Sequence, residues 1–204
     1  MLIFIDTVSK QSKILLKRDN ITNSKIILLN NKIQISDSII FETIKIFSKY
    51  ININEIKEIA VCTGPGSFTG LRIGIAAAIG LKIALNINLY GVDVFNTLLK
   101  YARFNYSNKN VHILIHSDNN QKFYAVFDEN NNFLIKPKKI DDIKNFELIN
   151  KDSILISNEK FNLFNKKFKN VIYKEISEII LSYDFSIFSN NKKIIKPKYV
   201  SKYN

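Results

Sequence analysis

The chain has 204 residues, 46% of them hydrophobic, with a formal net charge of +12 and a single cysteine, Cys62. That is enough apolar material for one generous domain or two small ones, and a lone thiol excludes both a disulfide framework and a cysteine-based zinc site. The positive charge raises nucleic-acid binding, but the lysines run from Lys10 to Lys202 without a dominant cluster and only Arg18, Arg72 and Arg103 accompany them, so the charge reads as a solvated basic surface whose densest patch is Lys192, Lys193, Lys196 and Lys198. Residues 1–5 are apolar but end at Asp6 without a basic leader, and no stretch is read as reaching the length of a membrane span. The expectation is a soluble, cytoplasmic protein with no membrane partner.

In chain order, residues 2–5, 13–17 and 25–29 are β-favouring runs separated by polar turns, and residues 32–35 extend the pairing. Ser36, Asp37 and Ser38 supply side-chain oxygens for free amides at a helix start, and residues 39–50 follow with helical spacing at Ile40, Ile44, Phe47 and Ile51. Residues 58–62 read as a buried strand, 68–85 as a long helix, 88–92 as a strand and 94–104 as a helix. The order βββαβαβα implies a mixed α/β sheet whose later strands are parallel and joined by right-handed crossovers. After a polar linker at 105–110 comes a second, weaker α/β unit. Its strands are read at 111–115, 123–127 and 133–135, and its helices at 141–146, 159–168 and 175–183. The division expected is an N-terminal subdomain, 1–104, and a smaller, degenerate C-terminal one, 105–204.

Four of the six glycines fall in "TGPGSFTGLRIG", residues 63–74. A P-loop is excluded because no lysine follows Gly66 or Gly70 to reach a terminal phosphate. The dinucleotide fingerprint fits poorly, since Thr69 stands where its third glycine belongs. An anion nest at the helix start, built from Gly64, Gly66, Ser67 and Thr69, is physically sound but generic. A structural alternative explains more: Gly70 and Gly74 lie one turn apart, followed by Ala77 or Ala78, and leave a furrow for close packing. Periodicity leaves open whether the chain's own sheet or another subunit fills it. Residues 39–51 present an apolar arc wider than one contact surface covers, so helices 39–50 and 68–85 are expected to form a helical interface.

"GPGSFTGLRIG", preceded by a strand and followed by "IAAAIGLKIAL", resembles the signature of the TsaB (YeaZ) family. "LIFIDT", "LYGVDVFNTL" and the ending "PKYVSK" go with it. The resemblance is specific over residues 2–99 and loose beyond. It implies the actin-like (ASKHA), ribonuclease-H-like fold and a non-catalytic bacterial subunit of the machinery that makes threonylcarbamoyladenosine beside the anticodon of tRNAs reading ANN codons. Such subunits pair through their first two helices with the catalytic subunit, TsaD, or with themselves; an ATPase subunit, TsaE, then joins, and tRNA is met indirectly. Carried over as interface candidates are Ile40, Ile44 and Phe47 on the first helix and Gly70, Arg72, Ile73, Gly74, Ala77 and Ala78 on the second. Arg72 reads equally as a boundary contact or a solvent-facing residue. The chain departs from relatives at Ser36-Asp37-Ser38 and at His116-Ser117-Asp118.

Enzymes of the superfamily hold nucleotide phosphates between two halves, and Asp6, Thr7 and Ser9 match remnants of that site. Residues 105–204 contain no glycine for a second phosphate loop. The resemblance therefore implies no cofactor held by this chain alone, leaving room for a nucleotide at an interface of the complex. His112 and His116 share a strand face without an identifiable third ligand, and read as structural rather than metal-binding. Ser67 has no assignable general base. The rival reading is an autonomous superfamily enzyme, an ATP-dependent kinase or a metallopeptidase-like protein.

Overall fold

The computed structural model describes residues 1–18, 24–29, 39, 42, 45, 52–117, 121–141, 153–160, 170–184 and 195–200. The expected element at 32–35, all but the first residue of that at 141–146 and most of 159–168 lie outside these residues. The expected first helix is described only at Ile39, Glu42 and Lys45, which have helical backbone, so Ile40, Ile44 and Phe47 also lie outside.

The first sheet contains β1 (Leu2–Asp6), β2 (Lys13–Lys17), β3 (Lys25–Leu28), β4 (Glu58–Gly64) and β5 (Asn88–Asp93), in the order β3-β2-β1-β4-β5. β1 pairs antiparallel with β2 and parallel with β4, and β4 pairs parallel with β5. All five residues of β1 are buried because both faces are covered. Leu2 and Phe4 enter a core shared with the second half, while Ile3 and Ile5 enter an outer core with Ile14, Ile59 and Ile75. The outer core is closed by α1 (Phe68–Leu85), the crossover between β4 and β5.

The second sheet holds β6 (Val111–His116), β7 (Lys122–Phe127), β8 (Phe133–Ile140), β9 (Ile154–Ser157) and β10 (Asn170–Tyr173), in the order β10-β9-β6-β7-β8. Antiparallel pairs join β6, β7 and β8, and parallel pairs join β6, β9 and β10. Strand for strand this repeats the first sheet. Two of its strands, β9 and β10, go unread in the sequence because each is only four residues long, and asparagines and lysines flank them.

Two helices lie between the sheets, α2 (Val94–Asn105) after β5 and α3 (Ile176–Ser182) after β10. Phe95, Leu98 and Ala102 of α2 and Ile176, Ile179 and Ile180 of α3 bury into one core that also takes Phe4 and Leu15 from the first sheet and Ile113, Phe127 and Ile156 from the second. Residues 195–200 return to the first sheet, where the Lys198 amide donates to the Thr63 carbonyl at 2.7 Å and its ammonium pairs with Asp93 at 2.6 Å.

Candidate functional site

The glycine run is explained by its neighbours in the same chain. Gly64 has φ of 112°, a conformation side chains rarely adopt, and an added Cβ would stand 2.6 Å from the Lys198 carbonyl oxygen. Ser67 caps α1, its hydroxyl accepting from the Gly70 amide at 3.0 Å. It is buried in that role. A Cβ on Gly66 would meet Val8 at 2.5 Å; one on Gly70 would strike the Thr7 carbonyl oxygen, and one on Gly74 the Thr7 hydroxyl. The furrow is therefore filled by the loop after β1. The Thr7 hydroxyl also donates to the Gly70 carbonyl at 2.6 Å.

This placement sorts the candidate interface residues on α1. Gly70, Gly74 and Ala78 are buried within the chain and offer no surface to a partner, because the sheet and the β1 loop press against that side of the helix. Ile73 and Ala77 are half-buried, and Arg72 is exposed. Arg72 stays within the chain, its Nε donating to the Tyr199 hydroxyl at 3.1 Å and its guanidinium lying 3.6 Å from the Phe68 ring centre, while Phe68 and Tyr199 stack at 5.1 Å. Lys198 and Tyr199, in the described part of the "PKYVSK" segment, thus anchor the start of α1.

The exposed face of α1 is instead Thr69, Arg72, Ala76, Ile79, Gly80 and Ile83, spaced by three and four residues, with Ile83 74% exposed. Among the described residues nothing lies within 4 Å of a Cβ built on Gly80. Sequence reasoning missed this stripe, although the helix is apolar all round and so exceeds what one buried face requires. Its 18 residues have mean hydropathy 1.6, long and apolar enough by length and composition to cross a membrane, contrary to the reading of the sequence. Only 28% of the stretch is buried, because one face serves the sheet and the other is open.

Asp6, Thr7 and Ser9, expected from the sequence as remnants of a nucleotide site, sit where the carboxyl ends of the parallel strands converge, the usual ligand crevice of open α/β sheets. Asp6 is buried and committed to its own loop: its carboxylate accepts from the Val8 and Ser9 amides, each at 3.0 Å, and from the Ser9 hydroxyl at 2.6 Å. Beside it, burial and then the Asp6 carboxylate push the Cys62 thiol well above its ordinary pKa, leaving it protonated. Ser9 bridges to Ser117 across the two sheets, and the Ser67 amide donates to the Ser117 hydroxyl at 3.1 Å. Between the halves lies a cleft of about 310 Å³ lined by Ser9, Lys10, Gln11, Lys13, Asn158, Glu159 and Glu175. Lys10 pairs with Glu159 at 3.0 Å and Lys13 with Glu175 at 2.5 Å. His116 also bonds Glu159 through Nδ1, and the hydrogen bonds from His116 and Lys10 outweigh burial and hold the Glu159 carboxyl below its usual pKa. Neither lysine–glutamate pair of the cleft was legible in the sequence, since the members of each lie more than 140 residues apart.

His112 is fully buried in β6 with Nδ1 2.6 Å from the Tyr124 hydroxyl, and burial pushes its pKa down to about 4 while raising that of Tyr124. Among the described residues no group of three or more His, Cys, Asp or Glu side chains is placed to hold a metal ion.

Residues 38–198 match the family model for TsaD, tRNA N6-adenosine threonylcarbamoyltransferase. The chain is 26% identical over 157 residues to the tRNA threonylcarbamoyladenosine biosynthesis protein TsaB of Buchnera aphidicola subsp. Schizaphis graminum, covering 70% of this chain and 72% of that one. It is likewise 26% identical over 153 residues to the TsaB of subsp. Acyrthosiphon pisum, covering 68% of each. Among solved structures, YeaZ from Pseudomonas aeruginosa superposes with a TM-score of 0.59 at 12% identity, over 98% of this chain and 99% of that one. A Bacteroides thetaiotaomicron protein with actin-like ATPase fold superposes with a TM-score of 0.53 at 7% identity, over 90% and 96%. The fold is actin-like.

Proposed function

The chain belongs to the TsaD-type family, tRNA N6-adenosine threonylcarbamoyltransferase, as one of its TsaB (YeaZ) members, and on that premise we propose that it acts in tRNA threonylcarbamoyladenosine biosynthesis as a subunit that binds and activates the catalytic protein without performing chemistry itself. The observation that carries this reading is the exposed apolar stripe of α1, in which Ala76, Ile79, Gly80 and Ile83 form a thin surface on a helix whose other face is fixed to the sheet. An apolar face of this kind, left over after the core is packed, marks a protein contact. Gly80 lets a partner helix approach closely. In this reading the stripe receives a TsaD-type subunit, or a second copy of the chain in its absence; a TsaE-type ATPase joins the heterodimer, and tRNA is met through the assembly.

The inter-sheet cleft supports a non-catalytic role because its two lysines are already paired with carboxylates, and Asp6, at the end of β1, is spent on the loop that follows it. Co-purification with the TsaD-type subunit tests the proposal. The wild-type chain should be retained and a folded Ile79→Asp/Ile83→Asp variant released. Turnover of ATP or of a peptide by the isolated chain would contradict it.

A further inference from the structure

The side of β2 that faces the second half carries Lys13, Leu15 and Lys17, and both lysines reach the same helix. Lys13, only 4% exposed, pairs with Glu175, the residue at the N-terminal boundary of α3. Lys17 donates to the carbonyls at the other end of that helix, at 2.8 Å to Ile180 and also to Tyr183. Four strand residues at about 3.3 Å each span roughly the length of a seven- to eight-residue helix at about 1.5 Å each, so the two ammonium groups bracket α3. A cation on the last carbonyls of a helix is electrostatically favoured.

Glu175 stands where a helix cap would, yet makes no capping hydrogen bond to α3, because its carboxylate is turned to Lys13 and the Ser177 hydroxyl. A third lysine, Lys10, on the loop before β2, takes Glu159 from the loop after β9. A buried ammonium requires a counter-charge. For Lys13 that charge is Glu175, and for the more exposed Lys10 it is Glu159, both from the opposite half of the chain.

We propose that the cleft is a self-ligated clasp, in which Glu159 and Glu175 occupy the places of a bound anion on Lys10 and Lys13, tying the two halves together and closing the cleft to phosphate ligands. This goes beyond partner binding and concerns a different surface from the α1 stripe.

Two measurements on the full chain test it. In calorimetric titrations with inorganic pyrophosphate at low salt, the wild type should take up none, whereas Glu159→Gln/Glu175→Gln should bind, with affinity at least about tenfold above any wild-type signal, as expected when a charge-assisted contact no longer competes. Adding Lys13→Met should abolish that binding. Equal binding by wild type and the double glutamine variant, or no binding by the folded double variant, overturns the proposal. Should that variant fail to fold, a thermal-stability cycle on Lys13→Met and Glu175→Gln decides: the pair together should cost less than the sum of the singles, and strict additivity overturns the clasp.

Discussion

The hydroxyl of Thr7 occupies the place where a Cβ on Gly74 would stand, one helical turn beyond the Gly70 carbonyl to which it donates. The β1 loop and the start of α1 are therefore one unit, and the glycines belong to the fold before they belong to any interface.

Gly70→Ala and Gly74→Ala should both destabilise the isolated chain. Overpacking costs roughly 1–3 kcal/mol, and the gain of about 1 kcal/mol from replacing a helical glycine offsets only part of it. Gly70→Ala should be the worse, since its clash is with the Thr7 backbone oxygen, whereas Gly74 meets a side chain that can be trimmed. Urea midpoints check the order, and Thr7→Ala should recover part of the loss in Gly74→Ala but little in Gly70→Ala.

Gly80 gives the opposite outcome. Gly80 is exposed and no described residue crowds its Cβ position, so Gly80→Ala should stabilise the monomer by about 0.5–1 kcal/mol through helix propensity alone. Gly80→Phe should fold equally well and weaken capture of the catalytic subunit. Thermal denaturation and co-purification of the same two variants separate the effects.

These contrasts mark what was legible in the sequence. The strand and helix order of the first half, the helix over 68–85 and the unusual density of glycine are local signals, and local signals survive in a single chain read alone. Which glycine faces inward is decided by the β1 loop some 60 residues away, so Gly70 and Gly74 read as partner surface while Gly80, Ile79 and Ile83 went unremarked. The lysines of β2 look like solvated charge in the sequence because their partners, Glu175 and the end of α3, are more than 160 residues distant. Four-residue strands such as β9 carry too few periods to be recognised beside polar flanks.

His112 should make stability pH-dependent. Its folded pKa near 4 lies below the ordinary imidazole value, so between about pH 6.5 and 4 the unfolded chain binds a proton that the folded chain refuses. Stability from this group is complete above about pH 6.5, falls as pH drops through that window and levels off below it, with a span on the order of 3 kcal/mol. Stability measured against pH for wild type and His112→Gln should show a shallower slope in the variant over that range. Parallel curves would remove His112 as the cause.

The central claim is that the open face of α1 is the surface through which this chain supports threonylcarbamoylation of tRNA. A reconstituted reaction containing the TsaD-type and TsaE-type subunits and tRNA measures it directly, with wild-type chain, with Ile79→Asp/Ile83→Asp, and with none. The account predicts that modified adenosine forms only with the wild type, while the variant matches the no-chain reaction despite an unchanged melting temperature. Equal modification with the folded variant and the wild type would contradict it.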